Sequence, residues 1–171
     1  LNLKSGLPPI ARADARVLIL GSLPGDASLA ASQYYAHPQN QFWKLLSSVI
    51  RQDMVAMEYA QRITALQSAG IALWDVIGAA SRQGSLDHKI RNQQPNDLRE
   101  FVVTLTHLRA IALNGKKAVA SAKNAFIGLP IEILSLPSSS AAYTLDARQK
   151  AIAWTKLAPY LTISSKVHSG E

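Results

Sequence analysis

Between Arg16 and Trp43 the chain reads RVLILGSLPGDASLAASQYYAHPQNQFW, and this stretch concentrates side chains suited to chemistry. After the glycine- and proline-rich turn come Tyr34 and Tyr35, the pair His37-Pro38, then Asn40 and the pair Phe42-Trp43. An asparagine amide is too weak a base to deprotonate a nucleophile, but it can orient a water for attack on an electron-poor carbon. That suits a reaction whose leaving group departs early, through a cation-like transition state. Cleavage of an N-glycosidic bond is one, with the oxocarbenium character seen in glycoside hydrolysis. Asn40 equally stands where a helix N-cap belongs, and His37 equally reads as a loop histidine. Tyr35 divides evenly between a flat face for stacking on a base and a core aromatic. Phe42 and Trp43 read as packing residues. The carboxylates Asp26, Asp75 and Asp87 are isolated, and Asp75, within Trp74-Asp75-Val76, reads as a buried structural acid.

Further loops carry groups suited to a polyanion. In Gly21-Ser22-Leu23-Pro24-Gly25 the two glycines let backbone approach a ligand closely, although a tight strand-to-helix turn uses the same residues. The spacing is neither that of a dinucleotide-binding fold nor that of a P-loop. Asn114-Gly115-Lys116-Lys117 and LPSSSAAYT (136–144) supply small residues, hydroxyls and lysines that suit phosphate.

The charge balance agrees with such a partner. Eighteen Lys and Arg against eleven Asp and Glu give a net charge of +7 over 171 residues, which attracts polyanions in a salt-dependent way. The basic residues are dispersed, so any patch is assembled by folding. The absence of cysteine excludes disulfides, thiolate catalysis and Cys-ligated metal sites. The four histidines show no metal-ligand spacing. No run approaches the length of about 20 apolar residues that spans a bilayer, and the first residues lack the blocks of a signal peptide. The expectation is a cytoplasmic protein.

These residues need elements to hold them. The apolar runs Ala15–Leu20, Ile71–Ile77, Ala110–Leu113 and Ile131–Leu136 predict buried parallel strands. Helical spacing predicts helices over Ser28–Tyr35 (capped by Ser28 or Asp26), Asn40–Ile50, Met54–Ala69, Pro95–His107, Lys116–Ala125 and Leu145–Leu161. In the last, Ile152, Trp154, Leu157 and Leu161 are the core candidates. Gly78–Asn92 reads as polar and irregular, and the tail from about residue 162 as disordered. Strands alternating with helices imply one three-layer α/β domain, a four-stranded parallel sheet with helices on both faces. Its core runs over about residues 10–161. The loops after the strands then share one rim, where ligands bind.

The blocks GSLPG (21–25), QYYAHPQNQFW (33–43), LWDVIGAASRQGSLD (73–87), NGKKA (114–118) and LPSSSAA (136–142) together resemble the uracil-DNA glycosylase superfamily. Within it they are most similar to the hypoxanthine-DNA (deoxyinosine) glycosylase branch, near the mismatch-specific uracil-DNA glycosylases. The resemblance runs from about Ile10 to Tyr160. It implies base flipping, cheapest at a mismatched or damaged base, without metal or cofactor. It makes Tyr35 the aromatic that stacks on the flipped base and Gly21, Ser22, Leu23, Pro24 and Gly25 the pocket wall, with His37 and Asn114 also at the base. Pro137, Ser138, Ser139, Ser140, Ala141 and Ala142 form the loop that enters the duplex and grips phosphates, aided by Lys116 and Lys117.

Leu23 departs from the family pattern. Relatives place Asn or Asp there, before the proline, and leucine can neither orient nor activate water. The resemblance passes that role to Asn40 and argues for a deaminated purine over uracil. The second loop lacks a histidine, leaving backbone N–H groups or Asn114 to assist the leaving base. The implied protein is a monomeric, monofunctional DNA glycosylase of base-excision repair acting on hypoxanthine, with no membrane partner. The alternatives are a glycosylase for uracil or another damaged base, a non-catalytic lesion-binding module, and a hydrolase of free nucleosides.

Overall fold

Val17, Leu18, Ile19 and Leu20 are fully buried, because the strand they form is covered on both faces. The computed structural model describes residues 3–122 and 124–162. In chain order its elements are β1 (Leu3–Ser5), β2 (Val17–Gly21), α1 (Asp26–Ala31), α2 (Phe42–Ile50), α3 (Tyr59–Ser68), β3 (Ile71–Asp75), β4 (Ile77–Ser81) and β5 (Arg91–Pro95). Then follow α4 (Leu98–Val103), β6 (Ala110–Asn114), α5 (Lys116–Ser121), β7 (Glu132–Leu136) and α6 (Ala147–Trp154). Short 3-10 turns occupy Asp87–Lys89 and Thr155–Tyr160.

The main sheet is four-stranded and parallel, in the order β3-β2-β6-β7. Side chains alternate across it. Val17 and Ile19 pack with α2, with Leu66 of α3 and with Trp154 of α6. Leu18 and Leu20 pack on the other side against Leu98 and Val102 of α4 and Ala118 of α5. Two apolar faces on one strand require a continuous apolar run, which is why the parallel strands are legible. The fold class is the expected α/β sandwich.

A second sheet was not expected. β1, β4 and β5 form an antiparallel three-stranded sheet in the order β1-β4-β5. The stretch 78–92, read as irregular, therefore supplies most of a hairpin arm. Every residue of β5 is exposed, so its sequence, RNQQP, lacks the alternation that betrays a strand. Backbone pairing holds it, with a small cluster of Leu23, Ile77, Ala80 and Ile90 beneath. The predicted strand Ile71–Ile77 breaks at Val76, whose N–H donates to Gly21 O (2.9 Å).

Several helix bounds shift for local reasons. α1 starts at Asp26 after Gly25, not after a side-chain cap, and ends where Ser32 turns left-handed (φ 51°). Ser28 is buried instead, its hydroxyl accepting from the Ala36 N–H (3.0 Å). α3 begins at Tyr59, with Gln61 closing back on the Glu58 N–H (3.0 Å), and Gly70 (φ 89°) carries the chain past its end. Pro95 closes β5, and α4 starts after Asp97, whose carboxylate accepts from the Glu100 N–H. α5 ends at Ser121. The last helix gives way to a 3-10 turn after Trp154, and Ile152 is 65% exposed while Trp154 and Leu157 are buried. Residues 152 and 154 lie about 200° apart around a helix, so they cannot share a face. Residues 163–171, expected to be disordered, lie outside the described residues.

Candidate active site

The carboxyl ends of the parallel strands deliver Asp75 (β3), Gly21 (β2), Asn114 (β6) and the 137–142 loop (after β7) to one rim. A cleft of about 1230 Å3 opens there. Every residue predicted for the site lines it, from the 21–25 loop through Tyr35, His37 and Asn40 to Asn114, Lys116, Lys117 and the 137–142 loop.

Tyr35 is held rigidly. Its backbone is left-handed (φ 53°), a conformation costing roughly 1–2 kcal/mol for a residue with a Cβ. Its ring stacks on Phe42 at 3.8 Å and 9°, and Phe42 meets Trp43 and Trp154 edge-on. Phe42 and Trp43 are thus the packing residues expected. The Tyr35 hydroxyl accepts from Asn114 Nδ2 (3.3 Å). Burial, then the charge of Asp75, pushes its proton loss well above the ordinary tyrosine range, so it stays a neutral phenol.

Asn40 is not the expected N-cap: that position is Gln41, which makes no side-chain cap bond, and Asn40 one residue earlier closes an Asx turn into the helix. Its Oδ1 accepts from the Phe42 N–H (2.9 Å) at the start of α2, and its own N–H donates to His37 O (3.0 Å). The Phe42 bond fixes which end of the amide is the carbonyl. The second lone pair of Oδ1 and both Nδ2 hydrogens have no partner among the described residues. His37 is exposed, with Nδ1 accepting from the Gln39 N–H (3.1 Å) to close the turn.

Asn114 is buried and largely committed. Its Oδ1 accepts from the Ser139 N–H (2.9 Å), and Nδ2 donates to Ser139 Oγ (3.0 Å) and to Tyr35. With both amide hydrogens used, it ties the aromatic face to the 137–142 loop. Ser139, expected in the loop that grips phosphates, is fully buried and serves as the other end of that tie. Three of the loop's carbonyls are engaged as well. Pro137 O accepts from Trp154 Nε1 (2.9 Å), Ser139 O from the Gln41 N–H (2.9 Å) and Ser140 O from the buried Lys150 Nζ (3.1 Å). The N–H groups of Ser138 and Ala141 have no protein partner among the described residues.

The sequence reads Asp75 as a structural acid, and the geometry adds a place at the cleft. It lines the cleft yet is only 4% exposed, and its Oδ2 is buried with no hydrogen-bond partner among the described residues. Burial, followed by the nearby charge of Asp87 and opposed by Arg82, pushes its carboxyl up to about 7. Buried polar atoms are nearly always paired in proteins, and perturbed acids in clefts concentrate at functional sites. The signal in sequence is an acid ending a buried strand beside a loop glycine: Asp75 is in register with Gly21.

The β4–β5 arm is the other missed feature. Ser22 Oγ donates to Asp87 Oδ1 (2.7 Å), and the Asp26 N–H to Ser85 Oγ (2.9 Å). Arg82, buried, donates to Pro24 O and to Gly84 O. The arm therefore clamps the 21–25 loop. No cluster of metal-ligating side chains occurs among the described residues, and none of their helices is long and apolar enough to cross a membrane.

Comparison with known proteins agrees with this architecture. The family model described as "Uracil DNA glycosylase superfamily" matches residues 8–160. A "Hypoxanthine DNA glycosylase" of Methanosarcina barkeri is 42% identical over 115 residues, 67% of this chain and 73% of the relative. Another of that name, from Methanosarcina acetivorans, is 36% identical over 152 residues, 89% of this chain and 96% of the relative. The solution NMR structure of a Methanosarcina acetivorans protein, named as a candidate uracil DNA glycosylase, superposes with a TM-score of 0.82 at 35% identity. That match covers 91% of this chain and 96% of the other. With its sheet, its rim and nearly its whole length accounted for, the chain belongs to the uracil DNA glycosylase superfamily.

Proposed function

We propose that the protein is a monofunctional DNA glycosylase that hydrolyses the N-glycosidic bond of a deaminated base, hypoxanthine foremost, after flipping it from the duplex. The observation that supports this most is the company Asn40 keeps. Its partly free amide shares one cleft with Tyr35, whose ring Phe42 backs, and with Asp75, a buried acid with an unpartnered oxygen beneath the cleft wall. The relatives named for hypoxanthine add their weight.

In this reading the flipped purine lies against Tyr35, which Phe42 backs. Deamination converts the N1 lone pair of adenine into an N1–H, and ionised Asp75 accepts it. Adenine would set its lone pair against the carboxylate, and a site built around such a hydrogen bond rejects an analogue lacking it strongly. As the bond from C1′ to N9 breaks, its electron pair goes to the base and positive charge develops on the sugar. Asn40 holds the water that attacks C1′, and the proton of that water passes to solvent. Leu23 contributes only apolar wall. Ser138, Ser140, Ala141 and Ala142 meet the gap and its phosphates, with Lys116 and Lys117 on the flanking backbone.

A panel of duplexes, each with one inosine, uracil or xanthine, tests the reading by alkali-labile strand breaks. Inosine is expected to be cleaved fastest. Binding without product from any deaminated base would make the protein a lesion-binding module. Turnover of free inosine at a matching rate would make it a nucleoside hydrolase.

A further inference from the structure

The sheet order sets two protruding segments at opposite ends of the rim. The arm follows β3 at one edge and the 137–142 loop follows β7 at the other, with the cleft between. The arm's tip reaches over the 21–25 loop that follows β2, and β2 and β7 are two strands apart, roughly 10 Å at about 4.8 Å per strand. That is about three stacked nucleotides at a rise of about 3.4 Å. At the arm's turn, His88, Lys89 and Arg91 are exposed, and Leu86 stands 45% exposed at the cleft's margin. The acid of that turn, Asp87, accepts from Ser22 and is outnumbered by Lys89 and Arg91, the latter braced by Nη1 donating to His88 O and Ile90 O, so the tip carries a net positive charge. The buried Arg82 and the Ser85 contact hold the arm in place.

We propose that the tip of the β4–β5 arm, Leu86 to Arg91, is a second DNA-binding element that grips the strand on the far side of the pocket from the 137–142 loop. Lys89 and Arg91 meet the phosphates, and Leu86 lies against the sugars beside the flipped nucleotide. This rests on the reading of the cleft as a DNA site. Two grips about three nucleotides apart would hold a strand on either side of one extruded base, which a single loop cannot do.

The test is anisotropy of a labelled, undamaged duplex with the full chain, from about 50 to 200 mM salt. Lys89→Ala combined with Arg91→Gln is expected to make the slope of log affinity against log salt shallower by about 1.8, two phosphate contacts' worth. Leu86→Asp, which places negative charge at the tip, is expected to weaken binding roughly tenfold. Lys44→Ala with Lys156→Ala, exposed lysines that do not line the cleft, is expected to leave the slope unaltered. A wild-type slope in the arm variant, wild-type binding by the Leu86 variant, or an equal loss in the control pair overturns the proposal. The probe carries no lesion and nothing is cleaved. Failure of the arm would therefore leave the glycosylase reading standing, and absent cleavage would leave the slope readable.

Discussion

Gly21 and Asp75 face each other across two parallel strands, and a Cβ on Gly21 would lie 2.5 Å from Asp75 Oδ1 and 2.9 Å from the Tyr35 hydroxyl. Both contacts are closer than side chains tolerate. The missing side chain is what lets a buried acid and a rigid phenol converge on one point at the floor of the cleft. The first glycine of GSLPG thus serves the neighbouring strand as much as its own turn.

Gly21→Ala is accordingly expected to push Asp75 and Tyr35 out of place. Overpacking of this kind costs roughly 1–3 kcal/mol, measurable by denaturant unfolding. Single-turnover cleavage of an inosine duplex is expected to fall more than the stability loss alone explains. Cleavage at the wild-type rate would show that the two groups need not converge.

Asp75 predicts a signature in pH. Its carboxyl titrates near 7 in the folded chain, against about 3.9 in an unfolded one. Between these values the folded state binds the proton more tightly, so wild-type stability falls as pH rises from about 4 to about 7 and levels off above. Each pKa unit corresponds to about 1.4 kcal/mol. Asp75→Asn removes this loss and is expected to be more stable than wild type at pH 8, with the advantage gone at pH 4. Its kcat/KM on inosine is expected to drop and to lose the wild-type rise with pH through 7. An activity that instead falls as pH rises through 7 would assign Asp75 the role of acid.

Asn114→Ala tests the tie between the aromatic face and the loop. It strands the Ser139 N–H in a buried position, at a cost of roughly 1–3 kcal/mol, and frees Tyr35 and the loop together. Cleavage of duplex inosine is expected to suffer more than cleavage of single-stranded inosine, where no base stack must be entered. Equal losses on both would confine Asn114 to the pocket.

Much of this was legible because the physics is local. Two apolar faces on one strand leave a continuous run, so the runs at 17–20, 71–75 and 110–113 announced themselves. The rim followed from parallelism, and with it the gathering of Tyr35, Asn40, Asn114 and the serine loop. The arm was hidden because β5 buries nothing, and a polar strand held by backbone pairing leaves no pattern. Asp75 was hidden for a different reason. Whether a buried acid is paired depends on what faces it in space, here Gly21, Arg82 and Asp87, and spacing along the chain is silent on that. Ile152 was misplaced because the helix it sits on turns it away from Trp154.

The central claim is that Asn40 positions the attacking water. Its carbonyl also closes the turn into α2, so an alanine there would confuse a loss of chemistry with a loss of structure. A serine hydroxyl can close the same kind of turn and has no amide. Asn40→Ser is expected to keep its stability within about 1 kcal/mol of wild type, the worth of one hydrogen bond, and to cleave an inosine duplex at least about a hundredfold more slowly in single turnover. Cleavage at the wild-type rate by the folded serine variant would contradict the account.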